Sequence, residues 1–479
     1  MMLDAPGDTK DGNATDHNAD HNADHNADHN AAHIAGTAAS SRLETLPVEL
    51  IYQVFSHMPD LPTLRSLART SKTLHGQYLY NENRILRACL GRELNGFFVD
   101  AYATLMSRVD EIGSPRTNPK VTSFLDSYRG WITGSSPCPD MKSISDGRVQ
   151  WLAAFHIDVI RPLARQYSSW ALGNFRKMAS SSTAEEGAVE DAAVSQGGYD
   201  ITLSKSEEIR IFRALYRCET FHHLFGVNKA IRHGGFRDHR INEIFFCLFD
   251  PWDAEAVGCI DLFVREHYED IFNAVQEDLD DENPRFWNGL ERSTEDSFDL
   301  ICERDDYMNG TVSRGLSITA QLLAVNDHET LVAKMQRYLT YQRNQDYPMQ
   351  MALQTVAQFD RRRETLPAFP NARDEAQHRR NPLIFVGDAV PADGPPLAWV
   401  LLWGGTYANM YGEYVPEPLR RCGYIMWDAG RLAEMGAEQV VVRQWETVPK
   451  LAEDVERDWD LRHLFGMARG ITHPAVPVN

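Results

Sequence analysis

The sequence predicts a mainly α-helical protein: a small N-terminal three-helix unit, then a larger, mostly helical globular domain with minor β structure. Three observations predict this. Apolar residues recur at three- and four-residue steps along most of the 479-residue chain, the spacing of helix faces. Helix-start signals, proline or a Ser/Asp cap, precede several of these stretches. Strand-like and turn-like content is concentrated in one late segment, from PLIFVGDAV to GYIMWD. At 43% apolar residues the chain can bury a substantial core.

The elements follow in order. Residues 1–40 contain the phrase DHNADHNADHNADHN, with no apolar face at helical or strand period, so this tail is predicted to be disordered. Its histidines and aspartates are metal-ligand types, and loose Zn²⁺ or Cu²⁺ buffering is one reading. We read it instead as a slipped repeat, and expect no metal and no cofactor.

Residues 41–95 form the small unit, built on LETLPVELIYQVFSHMPDLPTLRSLARTSKTLHG, Leu43 to Gly76. Pro47 starts a helix whose Leu50, Ile51, Val54, Phe55 and Met58 cover well over a third of its circumference. Pro59 and Pro62 bracket a tight turn. A second helix then carries Leu64, Leu67, Ala68, Leu74 and Tyr78, and a third, from Asn83, carries Ile85, Leu86, Ala88, Leu90 and Leu94. A unit this small is marginal alone. Its surplus apolar surface must meet either the rest of the chain or a separate partner.

Residues 96–479 form the body. Trp151, Phe155, Val159, Leu163, Tyr167 and Trp170 mark one amphipathic helix, which Pro162 is expected to kink or split. Residues 179–198 read as an exposed flexible loop. Ser204 and Glu207 have capping-box spacing, and Gly226 supplies a stop. Asp250-Pro251 opens a further helix with the carboxylate as cap, and Val257, Ile260, Val264, Tyr268, Ile271 and Val275 form its buried stripe. The acidic run EDLDDENP ends that helix in solvent. Arg361 to Pro382 reads as a surface excursion, and a helical patch is expected near Arg431 to Met435.

Composition narrows the function classes. A net charge of −20 repels phosphate backbones and anionic lipid, so neither nucleic acid nor a membrane is an expected partner. Seven scattered cysteines with no CxxC pair predict reduced core thiols in an intracellular protein, cytoplasmic or nuclear. No signal peptide is read, and the longest apolar run, Leu397 to Trp403, is too short to span a bilayer. No GxSxG, HExxH, Walker or GxGxxG motif occurs, so no catalytic residue is nominated. His222 and His223 are neighbours on a helix, pointing about 100° apart, and cannot easily serve one metal. Asp388 follows LIFVG as some metal-binding aspartates end a strand, but no second ligand stands at a telling distance. Trp403-Gly404-Gly405 reads as a turn beside a buried indole.

The string LETLPVELIYQVFSHMPDLPTLRSLARTSKTLHGQYL resembles the F-box motif in its Leu-Pro-x-Glu-Leu opening, its Met-Pro helix end, its leucine-rich second helix and its Ser-Lys-x-Leu-His ending. The resemblance implies a three-helix module that docks on the Skp-type adaptor of a cullin–RING ubiquitin ligase. By that resemblance Leu46, Pro47, Leu50, Ile51, Val54 and Leu64 match adaptor-facing apolar positions, and Glu49 fills the acidic slot. The tryptophan that many members carry in the second helix is absent, with His75 and Tyr78 near its place. In the body, RALYRCETFHHLFG, PWDAEAVGCI and WGGTYANMYGEYVPEPLRRCGYIMWD are similar to segments of F-box-like proteins of filamentous fungi. No WD, kelch or leucine-rich period is present. The expectation is a non-catalytic adaptor whose body holds an unknown protein substrate. The alternative is a helical enzyme or ligand-binding protein in which the hairpin is only structural.

Overall fold

The structure, a computed structural model, describes residues 42–183, 202–226, 235–279, 303–342, 348–355 and 382–455. The DHNA repeat, most of the expected loop 179–198 and Arg361 to Asn381 lie outside these residues. The helices are α1 (Val48–Ser56), α2 (Leu61–Ala68), α3 (Lys72–Tyr80), α4 (Glu82–Glu93), α5 (Phe98–Met106), α6 (Val109–Ile112), α7 (Asn118–Thr133), α8 (Asp146–Phe155), α9 (Arg161–Thr183), α10 (Lys205–Phe225), α11 (Asp238–Ile244) and α12 (Pro251–Val275). They continue with α13 (Arg304–Val312), α14 (Leu316–Leu323), α15 (His328–Tyr338) and α16 (Pro348–Thr355), then the short helices Leu397–Leu402, Glu417–Arg421, Ala429–Glu434 and Glu438–Thr447. The protein is mainly α, as the apolar spacing predicts.

Local signals set the N-terminal helices. Pro47, at φ −54°, stands at the N-cap of α1. The Asp60 carboxylate accepts the Thr63 N–H at 2.7 Å and caps α2, with Pro62 in its first turn. Ser71 accepts the Leu74 N–H at 3.2 Å and starts α3. This last cap divides what apolar spacing reads as a single second helix, so the unit has four helices rather than three. Helices α1 and α2 both pack on α3 and α4.

Two long helices, α10 and α12, pack on each other inside the body. The expected stripe of α12 is buried, and so are Trp252, Glu255, Cys259, Asp261, Phe263 and Phe272 around it. A helix buried on nearly all sides is the centre of a core, not an amphipathic surface helix. The capping box of α10 forms, with Ser204 on the Glu207 N–H and Glu207 on the Ser204 N–H. Helix α5 packs on α10, and α4 packs on α8, so the N-terminal unit and the body share one apolar cluster running from Ile51 to Val455.

Several expectations change at this level. Pro162 does not split its helix. A π-turn, His156–Ile160, joins α8 to α9, with the Arg161 N–H reaching back to the His156 carbonyl. The widened turn accommodates a proline that lacks an N–H. Gly226 ends α10 at φ −75°, not in the left-handed region; glycine is required because a Cβ there would come within 2.1 Å of the Ser313 carbonyl oxygen. Asp250 occupies the N-cap of α12, but its side chain makes no capping hydrogen bond. Residues 179–183, expected to open a loop, continue α9. Ala429–Glu434 matches the expected late helical patch. The minor β structure does not appear: among the described residues no strand forms. Among these residues, too, no helix is long and apolar enough to cross a membrane.

Candidate functional site

The site begins with the residues that the fold leaves uncovered. Among the described residues ten large apolar side chains are exposed, and five of them belong to the N-terminal helices: Leu46, Val48, Leu50, Leu79 and Tyr80. Single exposed leucines are ordinary, whereas a concentration of this kind marks a surface that meets something. Leu46 is 37% exposed and Leu50 45%, with Pro47 and Glu49 exposed between them. Val54 is half-buried.

Ile51 and Leu64 are placed differently. They are 3% and 2% exposed and turn into the core shared with α3 and α4, correcting the expectation that they face outward. The reason is geometric. Apolar residues run round most of α1, and Ile51 with Phe55 is the apolar pair buried where α1 packs on α3 and α4. The start of α1 therefore leaves exposed Leu46 and Pro47, just ahead of the helix, and Val48, Glu49 and Leu50 in its first turn. Val48 was not singled out from the sequence, although its position between two nominated residues was the available signal.

A buried carboxylate ties this unit to the body. Glu93, at the end of α4, accepts the Leu61 N–H at 2.7 Å, His156 Nε2 at 3.1 Å and Arg161 Nη1 at 2.6 Å. The other His156 nitrogen lies 2.9 Å from the Tyr216 hydroxyl on α10. Burial alone would push the Glu93 carboxyl up. The hydrogen bond and charge of His156, with the Leu61 amide and Arg161, outweigh it and hold the group below its ordinary range. The start of α2 is thereby fixed to α9 and α10. Beside this joint an apolar groove of about 180 Å³ opens between α2, α3, α4 and the π-turn, lined by Leu61, Leu64, Ala68, Leu79, Leu86 and Ile157. Arg65 and Asp158 pair across its rim at 3.4 Å, both largely exposed, and add little stability.

The residues weighed for chemistry resolve as follows. Asp388 accepts from the buried Arg210 at 2.5 Å and from the Ala429 N–H at 2.8 Å, so both oxygens are occupied by the chain itself. Burial lowers His222 to about 4, in keeping with a neutral core ring. His223 lies between Ser107 Oγ at 2.9 Å and Glu219 Oε1 at 3.4 Å, in the order of a serine–histidine–acid relay. Ser107 is fully buried, with its hydroxyl also 2.9 Å from the Thr104 carbonyl, so it meets no solvent. A nucleophile needs the opposite. Trp403 is buried beside the left-handed Gly404 and Gly405, as expected of a turn. Among the described residues no group of three metal-ligand side chains converges.

Sequence reasoning missed the Glu93–His156–Tyr216 chain and the buried arginines of α10, Arg210, Arg213 and Arg217. Their partners lie far away in sequence, and the arginine spacing alone matches a solvated helix face. Comparison of the chain with protein families, with known proteins and with solved structures finds no match.

Proposed function

We propose that this chain is an F-box-type adaptor: its N-terminal helices bind the Skp-type subunit of a cullin–RING ubiquitin ligase, and through it a cullin, while the body recruits a protein substrate. The observation that carries the reading is the outward apolar patch of α1, where Leu46 and Leu50 remain open beside Pro47 and Glu49. That patch falls on four of the seven positions that match the motif. Ile51 and Leu64 then act from beneath, setting the curvature of the surface rather than touching the partner.

In this reading no covalent chemistry occurs on the chain. Two partners held by one rigid scaffold meet at high effective concentration, and that proximity is the contribution. The joint at Glu93 matters because it transmits the position of the bound ligase to the body. The compartment would be cytoplasmic or nuclear, where the ligase subunits reside.

Co-purification of the full-length chain with the Skp-type subunit tests the proposal. Leu46→Asp, which puts a charge into the contact, is expected to abolish capture with an unchanged circular dichroism spectrum, while Pro47→Ala weakens it. Equal capture by wild type and Leu46→Asp, or none by either, would sink the reading.

A further inference from the structure

The apolar groove beside the Glu93 joint, about 180 Å³ in volume, has helical walls. One wall is α2, which lends Leu61, Leu64 and Ala68. Another is α8 with the π-turn, which lends Ala153, Ala154 and Ile157. Each set lies at helical spacing, so each is a continuous stripe of its helix, and α3 with the start of α4 supplies the rest. Leu46, Val48 and Leu50 do not line the groove, which is therefore distinct from the exposed start of α1.

The volume selects the size of an occupant. Small-molecule sites run to about 300–1,000 Å³, whereas a cavity of about 150 Å³ takes up benzene. The groove therefore matches one bulky side chain rather than a cofactor. Its walls are helices, whose main-chain groups are paired internally, so an extended strand finds no backbone to add to. An amphipathic helix, which offers an apolar anchor from its side chains alone, is the segment that suits such walls. The rim then sets the polarity of that helix. Arg65 is paired with Asp158. Arg69 and His75 flank the turn between α2 and α3; both are exposed, and neither side chain has a partner among the described residues. At the other end of α3 the Glu82 carboxylate accepts the Tyr78 hydroxyl at 3.3 Å. The groove thus has a basic end and an acidic end. Charges more than about 8 Å away are largely screened at physiological salt, so an occupant meets these groups rather than the −20 of the whole chain.

We propose that this groove docks an amphipathic helix of another protein, which sets one bulky apolar side chain between α2 and α8 and brings carboxylates of its first turn to Arg69 and His75. Carboxylates are favoured in the first turn of a helix, so the polarity of the groove and that of the helix agree. This inference does not depend on the ligase reading.

The test titrates the full-length protein into a fluorescein-labelled, alanine-based peptide of about 15 residues and follows anisotropy. The peptide carries glutamates in its first turn, one central phenylalanine and a lysine in its last turn. Alanine in place of the phenylalanine is expected to weaken binding about tenfold or more. Arg69→Glu, at an exposed position, is expected to do the same, and to bind a peptide with lysines for the glutamates more tightly than wild type does. Ala154→Phe fills the groove from α8 and is expected to abolish binding with an unchanged circular dichroism spectrum. Leu50→Asp is expected to leave the affinity unchanged. The proposal falls if the parent peptide shows no saturable binding, or if wild type, Arg69→Glu and Ala154→Phe bind it equally. A loss in Leu50→Asp as large as that in Arg69→Glu overturns it too, by moving the peptide to α1. So does binding that appears only once residues 1–41 or 456–479 are deleted, which makes this chain its own occupant. A wild-type dimer that Ala154→Phe abolishes would put a second copy in the groove instead.

Discussion

Replacing Arg217 with alanine is expected to cost about 3–5 kcal/mol of folding stability, the range for removing one partner of a buried ion pair. The side chain is 5% exposed, in the middle of α10. Its Nε lies 2.8 Å from Asp100, its Nη1 lies 3.0 Å from Asp253, and the guanidinium sits 4.3 Å from the centre of the Phe249 ring. Burial opposes the charge, but Asp100 and Asp253 more than offset it and hold the group firmly protonated. Without Arg217, Asp100 keeps the Tyr128 hydroxyl at 2.5 Å and a distant Arg213 at 3.8 Å. One buried carboxylate is then under-compensated. Arg217→Lys should recover little, since a single ammonium cannot reach both carboxylates as the planar fork does. Denaturant midpoints at a constant m-value check this, and a loss below about 1 kcal/mol would place the charge network outside the folding core.

Glu93→Ala is expected to have a comparable effect, about 3 kcal/mol or more, with a second consequence for function. It removes the acceptor of the Leu61 N–H and leaves His156, fully buried, without its carboxylate. The N-terminal helices should loosen from α9 and α10 before the body unfolds, which hydrogen exchange at Leu61 through Ala68 would detect as lost protection. The pH dependence follows from the same group. Its folded-state carboxyl lies below the ordinary value, so its contribution is complete above the unfolded value of about 4.3 and is lost as pH falls through the folded one. Glu93→Gln should therefore be less stable than wild type near neutrality, and the difference should shrink on acidification. A difference that grows towards low pH would contradict the assigned direction.

What the sequence made legible was local. Pro47, Ser204 and Pro251 are written next to the helices they start, and each signal needs only a few neighbouring residues to be read; the Asp60 cap of α2 was passed over between the two prolines. Leu46 and Leu50, nominated by resemblance, are both exposed. Spacing failed where two faces of a helix are both apolar: it groups Leu50, Ile51, Val54 and Phe55 on α1 without saying which of them meets α4. It failed again at PLIFVGDAV, where burial alternates from Leu383 to Val386 but no strand forms among the described residues. The buried charges were invisible for a third reason. Arg210, Arg213 and Arg217 have the composition of a solvated face, and the carboxylates of Asp100, Asp253, Asp388, Asp393 and Asp428, brought from distant parts of the chain, make their burial tolerable.

The central claim is that the open side of α1 is a binding surface. Calorimetric titration of a purified Skp-type subunit into the full-length protein tests it most directly, with Leu50→Asp as the probe and Ile384→Lys as a surface control elsewhere. The account predicts saturable binding by wild type and by the control, and a dissociation constant raised about 30-fold or more by Leu50→Asp, equivalent to about 2 kcal/mol. Equal affinity for wild type and Leu50→Asp, or no heat of binding for wild type at all, would contradict it.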